Sequence, residues 1–319
     1  MHKLASPPSC NDNGGVNTVG AGRYAPSPSG DLHVGNLRTA LLAWLFARST
    51  DRQFRMRVED VDRGRDAGAA QQQLEDLSAI GVTWDGEVVY QTHRRAAHEA
   101  AIETLRSRDL VYECVCTRRE IQEAPSAPHA PPGAYPGTCR DRTQQEAAAA
   151  RATILPRRPA LRLRVAEGQG EQTFRDELCG ELSGHVDDFV LQRGDGAIAY
   201  NLAVVVDDAA MGVDQVVRGN DLLSSTPRQV LLQQLLGYAT PQYAHVPLVL
   251  GPSGARLAKR DGAVTLQDLS RLGMSAAQVR SMLAFSLGLA DQGEPVEMVD
   301  LIERFEPAKL PREPWIFIS

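Results

Sequence analysis

Apolar positions follow two spacings along this chain. At Leu37, Ala40, Leu41, Trp44 and Leu45 they recur at i, i+3, i+4, i+7 and i+8, one stripe along a helix that begins after Gly35. In Gln53–Glu59 the residues Phe54, Met56 and Val58 alternate with Arg55, Arg57 and Glu59, the period of a strand that delivers Glu59 at its C-terminal end. Residues 19–25 read as a short strand that must stop at Pro26 and Pro28, whose fixed φ forbids a helix there. Asp66–Gly81 and Arg94–Arg108 have helical composition. Ala199–Asp207 is a nearly continuous apolar run, as expected of a buried parallel strand. Val213–Arg218 predicts another short strand, Thr226–Leu236 a helix with Pro227 in its first turn, and Val246–Leu250 an apolar strand. Beyond Gly262 the spacing of Leu266, Leu269 and Leu272, then Val279, Met282, Leu283, Phe285 and Leu287, is helical. Strand and helix alternate, so the class is α/β.

The most specific stretch is residues 23–36, RYAPSPSGDLHVGN, which joins a strand end, a rigid loop and a helix start. Gly30 and Gly35 permit close backbone approach, and the unpaired N–H groups of the first helical turn suit a phosphate. Basic residues are 31 Arg and three Lys, at positions 3, 259 and 309. Against that bias Lys259 stands out, in the Gly-rich loop of residues 251–262. A compact ammonium meets a transferring phosphate differently from a guanidinium. The net charge of −6 excludes a global positive field for nucleic acid. A local basic group, Arg151, Arg157, Arg158, Arg162 and Arg164, reads equally as a solvated face or as a phosphate contact.

No apolar run approaches the ~18 residues of a membrane span and no signal peptide opens the chain, so a cytoplasmic protein with no membrane partner is expected. Residues 1–22, rich in Ser, Asn, Gly and Pro, read as a disordered leader. Cys114, Cys116 and Cys139 cluster in a short Pro-rich segment, where a cytoplasmic chain favours metal over disulfide. With either Tyr135 or His129 as the fourth ligand they suffice for a closed tetrahedral zinc site. Cys10 and Cys179 fall outside this pattern.

Residues 23–36 resemble the first signature of the class I aminoacyl-tRNA synthetases, in its glutamyl branch, with His33, Val34, Gly35 and Asn36 in place of His-Ile-Gly-His. The departure is Asn36, an amide that still donates hydrogen bonds. Residues 256–260, RLAKR, resemble the second signature, Lys-Met-Ser-Lys-Ser, with its second lysine kept as Lys259 and Ala258 at the central serine. Glutamyl-tRNA synthetases resemble nearly the whole chain but continue into a large anticodon-binding domain, so the likeness is to their short paralogues, the glutamyl-queuosine tRNA(Asp) synthetases.

That resemblance implies a Rossmann-like catalytic domain in two halves, residues 23–110 and 190–258, split by a zinc-containing insertion at 111–189 and followed by the signature loop and a helical region at 259–319. It selects Tyr135, with Cys114, Cys116 and Cys139, as the ligand set of one structural zinc facing the tRNA. It implies glutamate held by Arg23, Tyr24, Ala25, Pro26, Ser27, Glu59, Tyr200 and Arg218, and ATP held by His33, Gly35, Asn36 and Lys259. Of these His33, Asn36 and Lys259 are the catalytic set, and Mg2+ arrives with ATP. The partners implied are ATP, L-glutamate and the anticodon stem-loop of tRNA(Asp), taken up by a monomer. Two other activities compete: a truncated enzyme charging the 3′ end of a glutamate tRNA, and a non-catalytic zinc-stabilised RNA-binding paralogue. A silent binder has no need of Lys259, Glu59 and Arg218 together.

Overall fold

The computed structural model describes residues 20–62, 64, 67–123, 134–257 and 264–318. In chain order the elements are β1 (Ala21–Tyr24), α1 (Val34–Arg48), β2 (Gln53–Val58), α2 (Ala70–Ala79), β3 (Val89–Tyr90), α3 (Arg95–Arg106), β4 (Val111–Cys114), α4 (Arg118–Glu123), α5 (Gln144–Thr153), β5 (Ala160–Leu163), β6 (Glu171–Asp176) and β7 (Gly180–His185). There follow β8 (Val190–Gln192), α6 (Tyr200–Ala210), β9 (Val213–Gly219), α7 (Thr226–Leu236), β10 (Gln242–Val246), β11 (Val249–Leu250), α8 (Leu266–Arg271), α9 (Ala276–Ser286), α10 (Met298–Arg304) and β12 (Trp315–Ile316).

The main sheet runs β3-β2-β1-β9-β10-β6-β7. Every pairing in it is parallel except the β6–β7 hairpin. The chain leaves β1 toward β2 and β3 on one side and returns through β9 and β10 on the other. The order therefore reverses between β1 and β9, and in a parallel sheet the crevice beyond the strand ends at such a point receives the ligand. A separate antiparallel sheet, β4-β5-β8, draws its strands from residues 111–192. The β6–β7 hairpin also lies within 111–189, yet it extends the main sheet through the pairing of Asp176 with Tyr243.

Three sequence expectations need correction. Ala199–Asp207 lies in helix, not strand: Tyr200–Ala210 forms α6, which packs on α3, α7 and β9 and buries every residue from Leu202 to Asp208. An element buried all round loses the period that distinguishes helix from strand. Second, Ala21 and Gly22 are not part of a leader, because they are buried strand residues of β1; residues 1–19 lie outside the described residues. Third, the run at 246–250 is not one strand: β10 ends at Val246, Pro247 and Leu248 break the strand, and β11 holds only Val249–Leu250. The stripe on α1 is also wider than its period suggests. Arg38, Leu42, Ala43 and Phe46 are buried as well, since α1 lies between the sheet and the C-terminal helices α9 and α10. Among the described residues no helix is long and apolar enough to cross a membrane.

Candidate active site

At the switch point the structure opens a cavity of about 700 Å³. Arg23, Tyr24, Ala25, Pro26, Ser27, His33, Gly35, Asn36, Glu59, Tyr200 and Arg218 all line it. Lys259 and Ala258 lie outside the described residues.

The start of α1 forms one wall. The Asn36 N–H donates to His33 Nδ1 at 3.2 Å, and the His33 N–H donates to Asn36 Oδ1 at 3.1 Å, a reciprocal capping box. An Asn at this position thus closes the cap through its oxygen while its NH₂ stays available. With Nδ1 as acceptor, a neutral His33 carries its proton on Nε2, and burial holds its pKa below the ordinary value. The first turn is less open than the sequence implies. Val34 N–H donates to Val264 O at 2.8 Å, so Gly35 keeps the first-turn N–H that has no partner among the described residues. Gly35 leaves little room for a side chain, because an added Cβ would meet His33 Cε1 at 2.9 Å and Val249 Cβ at 3.2 Å. The preceding loop is pinned by Gln73 of α2, whose Nε2 donates to Ser27 O at 3.0 Å and Gly30 O at 2.6 Å. Nothing in the local sequence singles Gln73 out.

The β1–β2 side holds a buried ionic cluster. Asp208 of α6 accepts from Arg57 Nη1 at 2.6 Å and from Arg23 Nε at 3.3 Å, and Arg57 Nη2 reaches Glu59 Oε1 at 3.0 Å. Burial would raise the Asp208 pKa, but Arg57 and Arg23 outweigh it and hold the carboxyl below its usual range. For Glu59 burial prevails and pushes the carboxyl up, with Arg57 and Arg23 offsetting part of the rise. A cationic ligand beside Glu59 would favour its ionised form. Arg57 and Asp208 were missed in the sequence: strand alternation assigns Arg57 to an outward face, but in a sheet covered on both sides that face is also interior.

On the β9 side Arg218 is held by three neutral acceptors. Its Nε donates to His245 Nε2 at 3.0 Å, Nη1 to Gln229 Oε1 at 2.8 Å and Nη2 to Thr226 Oγ1 at 2.7 Å. It is 5% exposed, and among the described residues no carboxylate lies within 4 Å of it. One N–H on each Nη remains. A buried guanidinium whose direct partners are all neutral favours an arriving anion, with Asp208 acting on it only from beyond contact distance. Tyr200 lines the same cavity, its phenol pKa raised by burial.

Away from this cavity, Cys114, Cys116 and Cys139 bring their Sγ atoms within 4.8 Å of one another. The Tyr135 hydroxyl lies 3.4 Å from Cys114 Sγ and 4.0 Å from Cys116 Sγ, and the two sulfurs of Cys116 and Cys139 are 3.5 Å apart. Sulfurs around one tetrahedral zinc with bonds of ~2.3 Å sit roughly 3.8 Å apart, so the donor set fits. Burial and the neighbouring Cys114 push the Cys116 thiol up to about 12. Several thiolates this close need a cation. His129, the other candidate ligand, lies outside the described residues. The basic group does not form one open face: Arg162 is buried and stacks on the Tyr135 ring at 3.8 Å, Arg151 pairs with Glu113, and Arg164 pairs with Asp141.

A parallel sheet whose switch-point cavity combines a capped helix start, a carboxylate and a buried arginine has the architecture of a nucleotide-binding α/β enzyme. Residues 21–319 match the family described as tRNA synthetases class I (E and Q), catalytic domain, and the chain belongs to that family. It is similar to the glutamyl-Q tRNA(Asp) synthetase of Nocardia farcinica, 62% identical over 93% of each chain. The proteins of that name from Cutibacterium acnes, 50% identical over 90% of this chain and 81% of the relative, and Symbiobacterium thermophilum, 46% identical over 92% and 94%, are also similar. Among solved structures, a glutamate-tRNA synthetase from Elizabethkingia anophelis superimposes with a TM-score of 0.79 at 27% identity, covering 94% of this chain and 68% of that one.

Proposed function

We propose that this chain is an ATP-dependent ligase that activates glutamate as glutamyl-adenylate and transfers it to the queuosine base of tRNA(Asp). The observation that carries the amino-acid half is one cavity lined both by Arg218, whose direct partners are all neutral, and by Glu59. That arrangement complements a substrate with both carboxylate and ammonium groups. In this reading Arg218 takes a carboxylate through its two remaining N–H donors, Glu59 takes the α-ammonium, and Arg23, Tyr24, Ala25, Pro26, Ser27 and Tyr200 shape the rest of the site. The acceptor half rests on the relatives, which share the name glutamyl-Q tRNA(Asp) synthetase.

Activation needs no protein nucleophile. The glutamate carboxylate attacks the α-phosphate of ATP, the bond to pyrophosphate breaks, and a queuosine hydroxyl then attacks the acyl carbon and releases AMP. What the chain supplies is position and charge stabilisation at phosphorus. His33 through Nε2–H, Asn36 through its NH₂, the Gly35 N–H and Lys259 are the donors assigned to ATP. Mg2+ bound to ATP would neutralise phosphate charge. Cys114, Cys116, Tyr135 and Cys139 would hold a structural zinc that fastens the insertion, residues 111–189, against the tRNA. We further assign the anticodon stem-loop as the RNA element bound, a monomer as the working form, and the cytoplasm, where ATP and tRNA meet.

The test is ATP–pyrophosphate exchange with a panel of amino acids and no tRNA. Glutamate should support exchange, while glutamine and aspartate should be much poorer, because a polar site left unpaired discriminates strongly. Equal exchange with glutamine would overturn the assigned specificity.

A further inference from the structure

We infer that His245, held by Asp176, is a positioning residue that must stay neutral for Arg218 to bind its carboxylate. The inference rests on the proposed anchoring of glutamate by Arg218 and adds the device that aims it.

Asp176 fixes the tautomer. It is 1% exposed, and it accepts the N–H groups of Leu178 at 3.0 Å, Cys179 at 2.9 Å and His245 at 3.1 Å. A carboxyl with that many donors is ionised and can only accept. Its 2.6 Å contact with His245 Nδ1 therefore puts the ring proton on Nδ1. Nε2 is then a lone pair, and it accepts from Arg218 Nε at 3.0 Å with Thr226 Oγ1 at 3.2 Å. Asp176 on β6, His245 on β10 and Arg218 on β9 form one line of hydrogen bonds across three neighbouring strands.

A second proton on His245 would have to sit on Nε2, facing an N–H of Arg218. The acceptor would be lost and two cations would meet inside the protein. The charged and titratable groups around His245 are Asp176 on its ring and Cys179 on its backbone carbonyl, both from the β6–β7 hairpin, Arg218 from β9, Tyr243 stacked on the ring from β10, and Arg23 farther off on β1. Burial and Arg218 depress the His245 pKa, while Asp176 opposes them and the net direction is down. The relay is therefore intact at neutral pH and lost in acid.

Two measurements decide it. In the free, unliganded protein, ¹⁵N NMR of labelled histidines, with His245 assigned by its disappearance in H245Q, should show a neutral Nδ1–H ring at pH 7; an imidazolium or an Nε2–H tautomer would overturn the relay. In ATP–pyrophosphate exchange, H245A should raise the glutamate KM by roughly 10–100-fold with little change in the ATP KM, the scale of a lost hydrogen bond to a charged group. H245Q, whose amide oxygen can still accept from Arg218, should recover most of that loss. An unchanged KM in H245A contradicts the inference. A wild type that is silent with glutamate defeats the glutamate reading instead, and the NMR result still decides the relay.

Discussion

Arg57 and Asp208 form an ion pair at 2.6 Å in which none of the arginine side chain is exposed. The pair is the hinge of the cluster: Asp208 also holds Arg23, and Arg57 also holds Glu59. Geometry at the amino-acid end of the cavity thus depends on a carboxylate from α6 that does not itself line the cavity.

Asp208→Asn keeps the shape and removes the charge, leaving Arg57 and Arg23 without it. Breaking a buried pair costs about 3–5 kcal/mol, to be read from urea unfolding midpoints. Because the folded-state pKa of Asp208 is depressed, its contribution is present above the unfolded value of ~3.9 and fades as pH falls through the folded one. The difference between wild type and variant should therefore shrink in acid. A constant difference would show that shape, not charge, sets the effect.

Gly35→Ala should weaken use of ATP by roughly tenfold to a hundredfold, because the new Cβ forces His33 out of its cap and misaligns the donors of the first turn. The check is the ATP dependence of pyrophosphate exchange. Wild-type ATP dependence in the variant would remove the helix start from the phosphate site.

Protein purified without chelator should contain about one zinc ion per chain, as one closed four-ligand site requires. Cys116→Ser should lower the metal content and RNA glutamylation more than glutamate activation, since the cysteine cluster shares no residue with the cavity. Zinc-free protein would contradict the donor-set assignment.

Lys259→Ala should slow adenylate formation by roughly 10²–10³, the scale for removing one transition-state donor, with Lys259→Arg restoring part of it. Single-turnover adenylate formation is the measurement. Full activity in the arginine variant would make the lysine incidental.

Most of the cavity wall was legible because its residues sit at element ends. Glu59 follows an alternating strand, Arg218 closes another, and residues 23–36 carry a loop and helix start in one unbroken string. What escaped lies where burial on both sides erases period or where partners are distant in sequence. Ala199–Asp207 has no polar face to reveal a helix, and Asp207 and Asp208 at its end look like surface charge. Gln73, Thr226 and His245 act through contacts to residues 8 to 69 positions away, which no local spacing announces. The β6–β7 hairpin joins the main sheet through one pairing with β10, a contact between segments 67 residues apart that no linear division of the chain conveys.

The acceptor separates a queuosine-modifying enzyme from one that charges the 3′ end of tRNA. Transfer of labelled glutamate should be measured on tRNA(Asp) with and without queuosine, and on queuosine-bearing tRNA(Asp) truncated at its 3′ end. Labelling should require queuosine and survive truncation. Labelling that is lost on truncation and indifferent to queuosine would contradict this expectation and place the reaction at the 3′ end of the tRNA.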